Sequence, residues 1–259
     1  MKLLNLNNPF NAPVYHEETV SSTSDVSRNL AGEGKPHGTV ITADFQEAGR
    51  GRAKRPWAAE PGKSLLFTVL LRYGESSSIP KALTLRTGLA VSLAIEDLVP
   101  SLAGSVTVKW PNDIMIGHRK VAGILTEWDG KAVYIGVGVN VLQSDFPDEY
   151  KTKAGSIIQV YPDLGENARF VLLEKILSRL YEEIEKPRLD ASPENWRERL
   201  GRRLYKRGET VTFLQGAADS GSVVEGILSG IGLEGELLII PAGEEKEQAF
   251  TSGELQVYS

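Results

Sequence analysis

Residues 64–73, SLLFTVLLRY, are apolar at nearly every position and rich in residues that favour strands. GTVITADFQ, just upstream, alternates around Val40, Ile41 and Phe45, and SVTVKW, further on, has the same character. AGILTEW and KAVYIGVGVNV flank Asp129-Gly130, a pair suited to the positive φ angles of a tight hairpin turn. Helical spacing comes between these runs. STSDVSRNL offers Ser22, Thr23 and Ser24 as N-caps and Gly32 and Gly34 as stops. PKALTLRTGLAVSLAIEDLV predicts a helix with Pro80 in its first turn. ENARFVLLEKILSRLYEEIEK sets Phe170, Leu173, Leu177, Leu180 and Ile184 on one stripe, with Pro187 expected to end the helix. The fold class expected is α+β, a mixed sheet covered by helices.

The pattern changes near Gly208. From there the charges are carboxylates apart from Lys246, and short strand patterns (ETVTFL, SVVEGILSGI, GELLIIP, QAFTSGELQVY) alternate with glycine turns. This predicts a small all-β module, a compact barrel, over 208–259, following a larger unit over 1–207. The basic run WRERLGRRLYKRG ahead of the boundary reads as a solvated helix face and linker.

Bulk composition narrows the chemistry. In 259 residues, 41% hydrophobic and 24% charged, a sizeable core can be buried. A net charge of −5 argues against generic nucleic-acid binding. The absence of cysteine excludes disulfides, thiolate catalysis and Cys-based metal sites. No apolar run has the length of a membrane span, and MKLLNLNNPFNAP is too short an apolar stretch for a signal peptide, so a soluble cytoplasmic protein is expected. His16, His37 and His118 are far apart and show no metal-ligand spacing.

Against that acidic background, QEAGRGRAKRPW (46–57) gathers Arg50, Arg52, Lys54 and Arg55 around Gly49 and Gly51. Glycine lets backbone N–H groups converge on an anion, and arginine adds a planar fork matched to carboxylate or phosphate. The loop is neither a Walker A sequence nor a dinucleotide fingerprint, and an exposed basic turn is the plain alternative. VKWPNDIMIGHRKVAGIL places Lys109, Asn112 and Asp113 at a strand end and Lys120 before Gly123. Lys120 can pair with Asp113 or serve as a point charge for a carboxylate and a phosphate. Asn140, in GVGVNV, is either satisfied by backbone or a polar contact on an apolar wall.

Taken together, SSTSD, FQEAGRGRAKRPW, KWPNDIMIGHRKVAGIL and GVGVN resemble, in order and spacing, the biotin protein ligases (biotin–[acetyl-CoA-carboxylase] ligases). The terminal GELLII…FTSGELQV segment is similar to that family's small SH3-like module, and the chain resembles the type without an N-terminal DNA-binding domain. The resemblance implies an ATP-dependent ligase. Biotin and ATP, the latter with Mg²⁺, would give biotinoyl-5′-AMP, and the biotinoyl group would pass to a lysine of a biotin carboxyl carrier protein. A homodimer is compatible with it, and neither nucleic acid nor membrane is an implied partner. It assigns Ser22, Thr23, Ser24 and Gln46 to the ureido head of biotin, Ser24 standing where asparagine is common. Arg50, Gly51 and Arg52 match the adenylate loop, which also touches biotin, Lys120 the acyl-phosphate lysine and Gly123 the wall by the bicycle. Lys109, Asn112 and Asn140 match the adenylate side, and Trp57 is either a cover for the intermediate or a core residue. Arg52 and Lys120 would carry catalysis. Lys54 departs from the glycine common at its position, and because lysine takes positive φ at a cost the C-terminal half of the loop is expected to differ in shape from the family's. A lipoate ligase of related fold, or a non-catalytic biotin- or nucleotide-binding protein, are the alternatives.

Overall fold

The computed structural model describes residues 1–190, 195–216 and 222–256. Strands β1 (Lys2–Leu4), β2 (Val14–Val20), β3 (Thr39–Gln46), β4 (Ser64–Leu71), β5 (Val106–Lys109), β6 (Asp113–Ile116), β7 (Arg119–Trp128) and β8 (Val133–Asn140) form one mixed sheet. Their order is β1-β2-β3-β4-β8-β7-β6-β5. β2 and β3 are parallel and are joined through helix α1 (Thr23–Gly32), while the other neighbours are antiparallel. The remaining helices are α2 (Leu83–Leu98), α3 (Ile157–Val160), α4 (Ala168–Leu180), α5 (Lys186–Asp190) and α6 (Trp196–Gly201).

β4 is buried along its whole length, and apolar apart from Ser64 and Thr68, because both of its faces are covered. Leu65, Phe67, Val69 and Leu71 join the main core with Leu85 and Leu89 of α2 and Leu172, Leu173 and Ile176 of α4. On the opposite face Leu70 packs with Tyr134, Ala132 and Ala31 of α1. Each fully buried aliphatic side chain contributes on the order of 1.5–3 kcal/mol. Gly88 lets α2 approach the sheet, since a Cβ there would stand 3.1 Å from Val108.

β8 alternates in size rather than polarity, and this positions the site. Val133, Ile135, Val137 and Val139 enter the main core. The intervening Tyr134, Gly136, Gly138 and Asn140 therefore lie on the α1 face of the sheet. In β7 the cross-strand partner of Gly138 is Gly123. Beside the N-terminus of α1 that face thus carries a glycine patch, Gly136 and Gly138 on β8 and Gly123 on β7, and a hollow forms there.

The second sheet holds β9 (Thr210–Gln215), β10 (Ser222–Ile231), β11 (Leu237–Pro241), β12 (Gln248–Phe250) and β13 (Gly253–Leu255), all antiparallel, in the order β12-β11-β10-β9-β13. The expected single strand QAFTSGELQVY is two strands with a turn between, its last residues lying outside those described. No pairing of β12 with β13 closes the ladder among the described residues. Phe213 and Phe250 pack at 4.9 Å inside this sheet, and Phe213 meets Trp110 of the first unit edge-on at 5.9 Å. The Trp110 indole N–H donates to Gly235 O at 3.0 Å.

Several expectations are corrected. The basic run at 196–208 is a solvated face only in part, with Arg202 exposed and paired to the exposed Glu198. Arg197 donates to Ile231 O and Arg207 to Ser229 O, both on the second sheet, while Arg203 and Arg199 pair with the buried Glu96 and Glu183. Carbonyls at strand ends need donors, and these guanidiniums supply them. Pro187 does not end its helix. Residues Tyr181–Glu185 open into a π turn and α5 resumes, putting Pro187 in a first turn where its missing N–H is not needed. Pro80 lies outside α2, whose N-cap is Ala82 in left-handed backbone (φ 52°). There the β10–β11 turn presses closely, a Cβ on Gly235 falling 2.9 Å from that of Ala82. In the β7–β8 turn only Gly130 has positive φ (89°), while the Asp129 carboxylate accepts the N–H groups of Lys131 and Ala132 at 2.9 Å each.

Candidate active site

The hollow on the α1 face is a cavity of about 390 Å³, and every residue that the resemblance assigned to biotin or to the adenylate lines it. Its floor begins at the start of α1. Ser22, in extended backbone, accepts the Ser24 N–H at 3.3 Å as N-cap. The capping geometry turns Thr23 and Ser24 inward, where Ser22, Thr23 and Ser24 are all buried. Gln46, the last residue of β3, accepts both the Thr23 N–H (2.8 Å) and its hydroxyl (2.9 Å). Thr68 of β4 in turn donates to the Thr23 hydroxyl at 2.8 Å and lies 3.4 Å from Ser24 Oγ. A buried chain of hydroxyls and one amide is thereby fixed in a single arrangement. Gly136 makes room for it, since a Cβ there would stand 3.2 Å from Ser24 Oγ.

The loop over the cavity is a small hairpin. Trp57 N–H donates to Gly49 O (3.0 Å) and Gly51 N–H to Arg55 O (2.8 Å), with Ala53 in left-handed backbone at the tip (φ 53°). The left-handed residue of this loop is thus Ala53, and Lys54 is not among the residues of positive φ. Arg50 grips Asp25 through both terminal nitrogens, at 2.5 and 3.0 Å. That hydrogen bond, with the guanidinium charge, holds the Asp25 carboxyl below its usual range. Arg55 reaches Glu254 of β13 at 3.0 and 3.3 Å. Burial alone would raise the Glu254 carboxyl, but Arg55, with Lys109 and Arg52, brings it below the usual range. Arg52 makes a long 3.4 Å contact to Asn112 Oδ1.

The third wall comes from the β5–β6–β7 corner. Lys109 and Asp113 face each other in register across the Trp110-Pro111-Asn112 turn. Lys109 is buried, and desolvation lowers its pKa although Asp113 and Glu254 oppose the shift. Asn112 is pinned to β7, its Nδ2 donating to Ile124 O at 2.8 Å. Lys120 Nζ lies 2.6 Å from Asp113, so the ion-pair reading of Lys120 is realised. It also borders the cavity, 5.6 Å from the Trp57 ring. Asn140 donates to Gly155 O at 2.9 Å, so its amide N–H is satisfied by backbone, yet among the described residues its buried Oδ1 has no partner. Arg52 and Lys120 thus border one cavity rather than opposite surfaces of the molecule.

Sequence reasoning missed Met115, Phe146, Tyr150, Lys153 and Glu254 in the lining, and Thr68 beneath it. The 144–155 segment carries no chemical pattern of its own. It reaches the site because Lys120 N–H donates to Lys153 O and Gly155 N–H to Lys120 O. Among the described residues no group of three His, Asp or Glu side chains is placed to hold a metal. His16, His37 and His118 are engaged by Asp44, Glu185 and Tyr205 respectively. No helix among the described residues is long and apolar enough to cross a membrane.

Residues 17–140 match the biotin/lipoate A/B protein ligase family. The chain is 39% identical over 154 residues to the bifunctional ligase/repressor BirA of Bacillus subtilis, covering 56% of this chain and 46% of that one. It is 30% identical to the biotin–[acetyl-CoA-carboxylase] ligase of Paracoccus denitrificans over 72% of this chain and 79% of that one. The chain thus spans about half the length of the first of these relatives. Among solved structures, the biotin protein ligase of Aquifex aeolicus in complex with biotin and ATP superposes with a TM-score of 0.78. It shares 28% identity, covering 94% of this chain and 97% of that one.

Proposed function

Because the chain belongs to the biotin protein ligase family, we propose that its cavity joins biotin to ATP and then passes the biotinoyl group to a carrier lysine. The observation that carries this reading is the composition of one cavity: a buried polar floor, a glycine wall, and two cations, Arg52 and Lys120, at the same opening. A neutral ureido group needs donors and acceptors together, and Ser22, Thr23, Ser24 and Gln46 offer both. Gly123 leaves room for a ring against the sheet.

In the first step a biotin carboxylate oxygen attacks the α-phosphorus of ATP. The bond from that phosphorus to the bridging oxygen breaks, and pyrophosphate leaves. Two anions must approach, so screening and stabilisation of the phosphoryl oxygens are the main demands. Lys120 and Arg52 meet them, each charge-assisted contact supplying on the order of 1.5–3 kcal/mol, while the Gly51 N–H is engaged by Arg55 O within the loop. Asp113 holds Lys120 in place. Lys109, Asn112, Asn140 and Trp57 line the part of the cavity left for the adenylate. The nucleotide would bring Mg²⁺ on its own phosphates. The carboxylates nearest the site, Asp113 and Glu254, are already engaged by Lys120 and Arg55, so screening falls to the chain's own cations. In the second step a carrier lysine amine attacks the acyl carbon of the mixed anhydride, AMP leaves, and the amine gives up a proton. The biotin carboxyl carrier domain is the partner, residues 1–207 form the catalytic unit, and 208–259 the SH3-like module, which reaches the site through Glu254.

The test is pyrophosphate release on mixing the protein with ATP and biotin, and in parallel with ATP and lipoate. Release with biotin alone is expected. Release with lipoate alone would reassign the substrate, and biotin binding without release in either mixture would make the protein a binder.

A further inference from the structure

Arg50 and Arg52 stand two residues apart in the loop, yet their guanidiniums are placed differently. Arg50 spends both terminal nitrogens on the Asp25 carboxylate, at 2.5 and 3.0 Å, whereas Arg52 has a long contact to Asn112 across the cavity. A bidentate pair fixes the planar fork in direction as well as distance, so the Arg50 charge points at α1 and is already met there. The position of the pair along the loop gives it a purpose. The stem is tied by backbone as far as Ala48, with Glu47 N–H donating to Val20 O and Ala48 N–H to Ser21 O, each at 2.9 Å. Gly49 then passes against the floor, where a Cβ would stand 2.9 Å from Gln46 Nε2. Among the described residues the next backbone hydrogen bonds, Gly51 to Arg55 and Trp57 to Gly49, are internal to the loop. The Arg50 side chain thus takes over where backbone pairing to the sheet and α1 ends. Its anchor is braced in turn. Asp25 directly follows Ser24 of the floor, and Arg28, 3.3 Å from it, pairs with Glu127 of β7 at 3.0 Å and lies over the Tyr134 ring.

We propose that Asp25 is a positioning residue: through Arg50 it straps the loop down over the acyl-adenylate, and the Arg50 guanidinium works through that pair rather than by touching the nucleotide. This rests on the biotin ligase reading above and adds to it a division of roles within one loop. Arg52 meets the phosphoryl oxygens, while Arg50 sets how long the loop stays closed. A strap of this kind governs opening more than chemistry. With the pair cut, a loop that is still closed most of the time carries out the first step at nearly the same rate, but it opens more often and loses the intermediate to solvent. The pair is partly exposed, so the effect is modest, about fivefold in the rate of loss.

The experiment is a double-mutant cycle of Asp25→Asn and Arg50→Gln. Each protein is loaded with ATP and radiolabelled biotin, chased with unlabelled biotin and ATP, and the label retained on it is followed by rapid gel filtration. Asp25→Asn is expected to lose the label about fivefold faster than the unaltered protein, while its single-turnover pyrophosphate release changes by less than about twofold. Arg50→Gln should lose the label as fast as Asp25→Asn, and the double variant no faster than either. Hydrogen exchange at the Trp57 amide, measured without ligand, should rise by the same factor in all the variants. A further acceleration on adding Arg50→Gln to Asp25→Asn would show that Arg50 touches the intermediate and would overturn the strap. Equal losses of pyrophosphate release and of retention in Asp25→Asn would overturn it too, since a general structural defect acts on both. Failure of the unaltered protein to release pyrophosphate counts against the ligase reading instead. The exchange measurement, which needs no ligand, then decides the strap alone, and an unchanged Trp57 amide refutes it.

Discussion

Thr23 and Ser24 on the cavity floor are 3% and 5% exposed, whereas the Arg50 and Arg55 side chains on the loop are 37% and 62% exposed. The floor is held by hydrogen bonds among largely buried groups, where each unmade bond is expensive and one geometry prevails. The loop is held by ion pairs that water and salt can replace. Preorganisation therefore belongs to the end that must distinguish one neutral head group, and compliance to the end that must admit and release charged species. Lys120 sits between the two, fixed by Asp113 and by the backbone of residues 153–155, yet facing the loop's Trp57.

That division makes different demands on substitutions. The largest effect is expected at Lys120. Lys120→Ala should slow pyrophosphate release about 10²–10³-fold, the range for removing one preorganised charge-stabilising donor. Biotin affinity by calorimetry should change only a few-fold. A loss of affinity as large as the loss of rate would place Lys120 with the floor instead. Gln46→Ala should act the other way, leaving the Thr23 N–H and hydroxyl without their shared acceptor. Biotin binding and folding stability are each expected to fall by about 1–3 kcal/mol, read by calorimetry and urea denaturation. A variant with unaltered stability would mean that the floor is not the rigid element described here. The smallest effect belongs to the loop tie. Glu254→Gln should raise hydrogen exchange at the Gly51 amide by less than about fivefold at neutral pH, under 1 kcal/mol. The folded Glu254 carboxyl titrates below its ordinary value, so the tie is fully present above that value and fades as pH falls through the lowered one. Exchange in the unaltered protein should converge on the variant's in that acidic window, and a difference that persists below it would refute the tie.

Much of the floor was legible in the chain because its parts are local. A serine before a helix pattern is an N-cap signal, and Ser22 caps α1. The loop was legible as chemistry, a basic glycine-bearing turn in an acidic protein, but not as geometry. Nothing in QEAGRGRAKRPW says that Arg50 will be spoken for by Asp25 or Arg55 by Glu254. The contribution of 144–155 was illegible for the same reason, since its residues reach the site through backbone pairing to β7 rather than through any motif. Strands β1, β2 and β6 were not anticipated. β1 and β6 are too short to show a period, and β2 is largely polar and partly exposed between its buried ends Val14 and Val20.

By itself the sequence determined the class of fold, the change of character near Gly208, the absence of thiol chemistry, and the residue types that meet an anion. These follow from side-chain chemistry and from periods of two or 3.6 residues, which act over a few neighbours. The tertiary structure alone decided that Gly123 faces Gly138 across two strands, that Trp57 lies on both, and that a carboxylate from the last strand holds the loop. Strand register and sheet order bring together residues up to about two hundred positions apart. No local pattern encodes that distance, because the free energy that fixes it is the burial of a core shared by the whole chain.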